Sequence, residues 1–418
     1  MKILLISTFD CSGGAAVAAN RLMKALRKQG VDAKILVRDK QTDDENVISV
    51  NTSWLKRKIN FIRFAWERWI IFCHNRFNRK DLFRVSIANT GTDICGHSLM
   101  AWADVVHLHW INQGFLSLND IKKLLKTGKS VVWTMHDMWP CTGICHHAWG
   151  CENFKSECGN CPFLSSKKTN DLSYRIFQNK KHIFQSNIHF VTVSIWLKSM
   201  ALKNTQIENS DISVIPNVVD TTLFYPADKQ IARKQLSFPL DKKIVLMGAA
   251  KLNDPIKGFT YLQQALSILK EQGENILLIL FGSLKDDPVF LSSISVEYIS
   301  TGLIRDTSTL ARLYVAADVT VVSSLYETFG QTLIEAMACG CPVVSFDNSG
   351  QTDIIEHKVN GYLARYKDAE DLACGIRWVL SEASYEELSK NAIGKVKQVY
   401  DEAVIARQYI ELYGKVLS

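Results

Sequence analysis

Proline is scarce, with 8 in 418 residues, and no run of about 18 apolar residues occurs anywhere in the chain. The first absence, with 47% apolar and 22% charged residues, excludes disordered, collagen-like and mucin-like chains. The second excludes a hydrophobic span across a membrane. No segment repeats at a fixed period, so a solenoid is excluded as well. The G-x-G-x-x-G fingerprint of dinucleotide sites is missing, and so is any D-x-D triplet of the kind that chelates a catalytic metal. The opening MKILLISTFD has only ILLI before it turns polar, shorter than the roughly 7 to 15 residues of a signal-peptide core, and reads as a first strand. The eleven cysteines are therefore expected as reduced thiols or metal ligands in a cytoplasmic protein.

The length itself calls for two domains, because single cores stop growing near roughly 250 to 300 residues. Short β-branched runs alternate with amphipathic stretches throughout, the α/β pattern of parallel sheets covered by helices on both faces. Strands are expected near 2–7, 33–37, 105–109, 130–134 and 189–194, and again near 243–248, 275–281, 319–322 and 342–346. Between the two series IPNVVDTTLFYP, with two prolines and no periodicity, reads as a linker over 215–226. This gives domains at 1–214 and 227–418, with the last helix free to pack back on the first domain. Doubly wound sheets bind ligands at the carboxyl ends of their strands, so two such domains are expected to face a shared cleft.

The chemistry concentrates in ADVTVVSSLYETFGQTLIEAMACGCPVVSF, 317–346, a buried strand, a turn, a helix and another buried strand. Glu327 stands before the helix and Glu335 inside it, about two turns deeper. Phe329 and Gly330 occupy the turn, where glycine lets a ligand approach the backbone and helix N–H groups favour an anion. Taken alone, these residues also fit a capped surface helix with two solvated glutamates. Upstream, GAAKLNDPIKGFTYL sets Lys251 and Lys257 around a loop that leads into a helix, either as a paired cation site or as two solvated lysines.

The E-x7-E segment closely resembles the signature of retaining glycosyltransferases of family 4, which have the two-domain GT-B fold of Rossmann-like domains. Similar stretches flank it in TGLIRDTSTLARLYVAADVTVVSS and GQTDIIEHKVNGYLA, and further ones are IPNVVDTTLF, VVHLHW and VVWTMHDMW, whereas 38–100 shows little likeness. The resemblance implies a nucleoside-diphosphate sugar donor, with Glu335 on the ribose hydroxyls, Glu327 on the transferred sugar and backbone near Ile304 reading the base. Lys257 and Lys251 would stabilise the leaving diphosphate, although an arginine is usual where Lys251 stands, so bidentate phosphate recognition is lost there. No cofactor is implied for catalysis. In the first half Gly13 and Gly14 open a helix as a donor or acceptor contact. His136 matches the family histidine that faces the sugar, and His109 shares a strand face with His107, which leaves metal, core and acceptor-side readings open.

Two features stand outside the resemblance. Cys145, Cys151, Cys158 and Cys161 space as C-x5-C-x6-C-x2-C, either a tetrahedral zinc site with His146 or His147 as substitutes, or a reduced cysteine loop. The segment 54–84 carries nine Lys/Arg against two acids, an excess equal to the +7 of the whole chain, together with eight aromatic rings. Leu55, Ile59, Ile62, Trp66, Trp69 and Cys73 recur at helical steps, so this helix either lies in an anionic membrane interface or packs its stripe onto the sheet. The expected activity is transfer of a hexose-like unit to a glycan or lipid-linked glycan in polysaccharide synthesis, such as capsule or exopolysaccharide, at the inner face of the cell membrane. A nucleotide-sugar epimerase of the same fold and a nucleic-acid-binding protein using the cysteine loop are the rivals. The localised charge argues against nucleic acid as a partner.

Overall fold

The computed structural model describes residues 1–284 and 288–418 and divides into two compact units. Unit 1 comprises Met1–Pro216 and Ile405–Ser418, and unit 2 comprises Asn217–Val404. Residues 217–226, expected as a linker, fold into unit 2: Val218, Val219 and Phe224 are buried, and Thr221 Oγ1 donates to Asp401 Oδ2 at 2.7 Å. The helix Glu402–Leu417 delivers 405–418 to unit 1, where Tyr409 and Tyr413 are buried.

Unit 1 is built on β1 (Lys2–Phe9), β2 (Asp32–Asp39), β3 (Val47–Ser49), β4 (Val105–Leu108), β5 (Ser130–Met135), β6 (Ile188–Thr192) and β7 (Ile212–Val214). Their order is β3-β2-β1-β4-β5-β6-β7, all parallel, with Leu5 between Ile35 and His107. Unit 2 carries β8 (Lys243–Lys251), β9 (Ile276–Ser283), β10 (Glu297–Gly302), β11 (Val319–Val322), β12 (Val343–Phe346) and β13 (Gly361–Ala364). These run β10-β9-β8-β11-β12-β13, again all parallel. Central strands such as Ile3–Ile6 and Leu277–Leu280 are wholly buried, which is why they read as unbroken apolar runs.

Each sheet reverses its strand order once, between β1 and β4 in unit 1 and between β8 and β11 in unit 2. At such a point the loops leaving two neighbouring strands turn to opposite faces and open a crevice at the carboxyl ends. The loops that matter below leave these four strands and their neighbours β5 and β12.

The helix Trp54–His74 is inverted relative to ordinary amphipathic packing. Its buried side chains are Asn60, Glu67, Arg68 and Ile71, while the apolar stripe faces solvent, with Trp54 67%, Ile62 62% and Trp66 54% exposed. The stripe therefore does not pack onto the sheet. Polar anchors explain the inversion: Glu67 Oε1 accepts the amides of Ile87 and Ala88 at 2.8 and 2.9 Å, and Arg68 pairs with Glu67 Oε2 at 3.0 Å while donating to Val85 O at 2.9 Å. Asn60 joins Asn51, Arg63 and Thr92 in a second hydrogen-bonded group. A buried carboxylate is tolerated only when paired and hydrogen-bonded, and once these bonds fix the helix face the aromatic side has nowhere to go but outward.

Candidate functional site

In unit 2 three loops meet at the carboxyl end of the β8/β11 switch point. The loop after β8 forms the single turn Pro255–Lys257 and is stitched to the end of β11, with Leu325 N donating to Ile256 O at 2.7 Å and Ser323 Oγ to Lys257 O at 3.0 Å. Gly258 makes this approach possible, since φ is +61° and a Cβ there would stand 2.0 Å from Ser323 O. The loop after β12 docks on the same strand end: Asn348 Nδ2 donates to Leu325 O at 2.9 Å, Glu327 N to Ser349 Oγ at 3.1 Å, and Gly350 N to Glu327 O at 2.8 Å. The result brings Lys257 Nζ to 2.9 Å from Glu327 Oε2, an ion pair with both side chains about three-quarters buried.

Glu335 lies in the helix Gln331–Ala338, 5% exposed, and accepts the hydroxyl of Tyr314 at 2.9 Å. Gly330 is its N-cap at φ +118°, and no side chain caps that terminus. Phe329 departs from expectation, because its ring turns inward, 3% exposed and edge-on to Tyr400. Only its backbone is left for a ligand. Lys251 ends β8 opposite Ser283, exposed and without an ion pair among the described residues. Ile304 sits half-buried in the loop after β10, whose strand is two removed from the switch point.

In unit 1 the loop after β1 is held by buried Asp10, which accepts the amides of Gln41 and Thr42 at 3.0 and 2.8 Å. It ends in exposed Gly13 at φ +87°, the N-cap of the helix Gly14–Lys28. Across the switch point β4 and β5 supply a histidine cluster. His109 Nδ1 and His136 Nε2 are 2.8 Å apart, and His107 is pinned by Tyr413 OH and Thr134 Oγ1, each at 2.7 Å. The Nε2 of His109 is buried with no partner among the described residues. His107 is thus the satisfied core residue, and His109 and His136 form the pair nearer the strand ends.

Asp137, not singled out from the sequence, organises the neighbourhood. Its carboxylate accepts Trp110 Nε1 at 2.9 Å, His146 Nδ1 at 2.7 Å and the Trp139 amide at 2.8 Å. Burial pushes its pKa up, but the adjacent His146, then His147 and the Trp139 amide outweigh this and bring it down to about 2. His146 Nε2 is taken by Ser86 Oγ at 3.0 Å, so both its nitrogens are engaged and it is removed from the set of substitute metal ligands. Tyr314 is the corresponding residue in unit 2 that sequence reasoning missed.

Burial lowers the histidines: His136 is brought down to about 4 despite the opposing pull of Asp137, and His109 and His107 lie well below the usual imidazole range. All three are neutral near pH 7, so each ring nitrogen pair offers one donor and one acceptor. Between about pH 6.5 and 4 the unfolded chain takes up protons that the folded chain refuses, so stability falls as pH falls through this window. Urea unfolding of wild type and His136→Gln measured from pH 7 to 4.5 checks this. The variant should show the shallower decline, by at most about 1.4 kcal/mol per pH unit, the share of one proton; parallel curves contradict the assignment.

Known proteins match this architecture along the whole chain. Residues 12–223 match the family described as Glycosyltransferase Family 4, and residues 228–395 match Glycosyl transferases group 1. Among curated relatives, the chain is 30% identical over 226 residues to an N,N'-diacetylbacillosaminyl-diphospho-undecaprenol alpha-1,3-N-acetylgalactosaminyltransferase of Campylobacter jejuni, covering 52% of this chain and 58% of that one. A D-inositol 3-phosphate glycosyltransferase of Stackebrandtia nassauensis is 30% identical over 41% of each chain. The alignments thus span about half the length of the curated relatives. In fold, the chain is similar to sucrose-phosphate synthase of Thermosynechococcus elongatus, with a TM-score of 0.69 at 20% identity over 99% of this chain and 98% of that one. Anabaena HepE in complex with UDP-glucose gives 0.66 at 16% over 99% and 100%. With both units matched and the two reversing parallel sheets in place, the chain belongs to glycosyltransferase family 4 and has the GT-B fold.

Proposed function

We propose that this protein transfers a sugar, with retention of configuration, from a nucleoside-diphosphate sugar to a hydroxyl of a glycan or polyprenyl-linked glycan in polysaccharide synthesis, such as that of capsule or exopolysaccharide. The observation that carries the reading is the junction of Lys257 and Glu327 at the unit 2 switch point, where strand ends of a doubly wound sheet receive ligands. In the reaction the bond from the anomeric carbon to the diphosphate breaks, a bond to the acceptor oxygen forms, and negative charge gathers on the leaving diphosphate. Lys257 is the cation set to meet that charge, with Lys251 as a second, exposed one and the helix N-terminus after Gly330 as a third source of positive potential. The roles assigned to Glu335 on the ribose, Glu327 on the sugar, backbone at Ile304 on the base, and Gly13, Gly14, His109 and His136 on the sugar and acceptor are part of the same proposal. No catalytic metal enters it. The relatives named for undecaprenol-linked and inositol phosphate acceptors support a hydroxyl acceptor of this general class.

The acceptor's lipid would bring the enzyme to a membrane, and we place it there as a peripheral protein on the inner face. No helix among the described residues is long and apolar enough to cross one. Support comes from the outward stripe of the helix Trp54–His74, with exposed Lys56, Arg57 and Lys58 beside it and Lys58 Nζ 3.9 Å over the Trp54 ring. Aromatic side chains with an adjoining basic face suit an anionic interface, and each basic residue at the surface contributes about 1 kcal/mol.

Incubation with a panel of nucleotide sugars and a polyprenyl-diphosphate-linked glycan, read by mass spectrometry, tests the reaction. Acceptor-dependent addition of one sugar is expected, and consumption of the donor without any acceptor product would favour an epimerase. Lys257→Ala should lower kcat by on the order of 10² to 10³, while EDTA leaves turnover largely intact. Loss on chelation that Mg²⁺ or Mn²⁺ restores would overturn the metal-free mechanism. For the membrane, sedimentation with anionic vesicles at low and high salt should show binding that salt weakens, and replacing Lys56, Arg57 and Lys58 by Gln should release the protein. Arg63 is left in place because it bonds Asn60 and Thr92 inside the unit. Wild type that stays in the supernatant at low salt excludes the interface.

A further inference from the structure

We propose that Cys145, Cys151, Cys158 and Cys161 bind one zinc ion, which clamps the segment between β5 and the helix Leu172–Phe184 beside the unit 1 histidines. Only the single turns Trp139–Cys141 and Asn153–Lys155 interrupt this otherwise irregular stretch. Loops beyond about 12 to 15 residues without structure of their own are uncommon, and a buried one needs something to hold it. This one is buried: Ile144, Ala148, Phe154, Phe163 and Leu164 have almost no exposure. It wraps a cavity of about 20 Å³ whose lining includes all four cysteines, with Ile144, Ala148, Phe154 and Phe163 among the rest. That is room for about one water or one ion, and the apolar remainder of the lining gives a water few partners.

A buried lysine lies against the same segment. Lys180 is 1% exposed, its Nζ donates to Trp139 O at 2.6 Å and Thr142 O at 2.9 Å, and it lies 3.4 Å over the Trp139 ring. Four thiolates on Zn²⁺ carry a net charge of −2, to which a neighbouring ammonium is complementary. The amide of Gly143 donates to Cys158 Sγ at 3.2 Å.

The sulfurs ring the cavity without yet converging, since among the described residues no three potential ligands form a metal-binding group. Uptake would turn them inward to about 2.3 Å from the ion. Sulfur alone completes the set, because His146 is committed to Asp137 and Ser86. Four protein ligands leave no open position, so the ion would be structural. Its reach is through Cys145, which adjoins the His146 that holds Asp137 next to His136. On binding, the thiols release their protons to solvent and no electrons move.

The protein as purified without chelator should hold one zinc per chain by elemental analysis, and Co²⁺ in place of zinc should give the thiolate-to-metal absorption of a tetrahedral site. Cys158→Ser with Cys161→Ser should lose the metal, and Cys374→Ser, at an exposed site in unit 2, should keep it. Should the double variant fail to fold, titration of native wild type with a mercurial reagent beside a zinc-sensitive dye should release the ion as the thiols are modified. Metal-free protein that shows no cobalt spectrum, or a native mass short by the four hydrogens of two disulfides, overturns the site. None of these readouts depends on the reaction proposed above.

Discussion

The contact between Lys257 and Glu327 sets the terms for the rest of unit 2. Two opposite charges, each largely withdrawn from water, are stable at 2.9 Å only because each offsets the other's lost hydration, and the pair exists only because three loops are locked together around it. Gly258 lets one loop touch Ser323, and Ser349 and Gly350 bind the backbone of Glu327 from the other side. The pair is also the feature a diphosphate would disturb. A doubly charged leaving group is a stronger partner for an ammonium than one carboxylate, so donor binding would draw Lys257 away and free Glu327 for sugar hydroxyls. One ion pair thus keeps both groups poised before the donor arrives, at no cost in unpaired charge.

Unit 1 solves the corresponding problem with opposite electrostatics. Its sheet reverses in the same way, but the ends of β4 and β5 carry imidazoles held neutral by burial beside the carboxylate of Asp137, held ionised by its neighbours. Such a surface can donate and accept hydrogen bonds without repelling an uncharged hydroxyl, which suits an acceptor better than a phosphate. The division follows from the strands themselves. His107 points into the core toward Tyr413 and Thr134 and is spent on packing, whereas His109 and His136 lie closer to the carboxyl ends, where ligands are met.

The central strands were legible because burial on both faces writes an unbroken apolar run. The four strands not read from the sequence, β3, β7, β10 and β13, are the four sheet edges. They are short or half exposed, and their pairing is decided by the neighbour and not by their own pattern. The helix over 54–74 was legible as a helix but not in its orientation, since periodicity finds a stripe and cannot tell that buried Glu67 and Asn60 will claim the inner side. Glu327, Glu335 and Lys257 are expected from a motif, and nothing in its spacing pairs Lys257 with Glu327 across 70 residues. Asp137 and Tyr314 were missed because each acts by holding another side chain, which leaves no mark in a single sequence. The inward turn of the Phe329 ring onto Tyr400 leaves no mark in the sequence either, which shows only a turn residue.

On the proposed function the carboxyl end of the unit 2 sheet binds a nucleoside diphosphate through Lys257 and Glu335. Calorimetry with UDP, GDP and ADP on wild type, Lys257→Met, Glu335→Gln and Glu327→Gln tests it directly. One site for one of the three nucleotides is expected, weakened at least about tenfold by Lys257→Met or Glu335→Gln, roughly the 1.4 kcal/mol of one lost charged or ribose contact. Glu327→Gln should not weaken it, because that carboxylate competes with the phosphate for Lys257. Absence of binding to all three nucleotides, or equal loss in all three variants, would contradict this mode of binding.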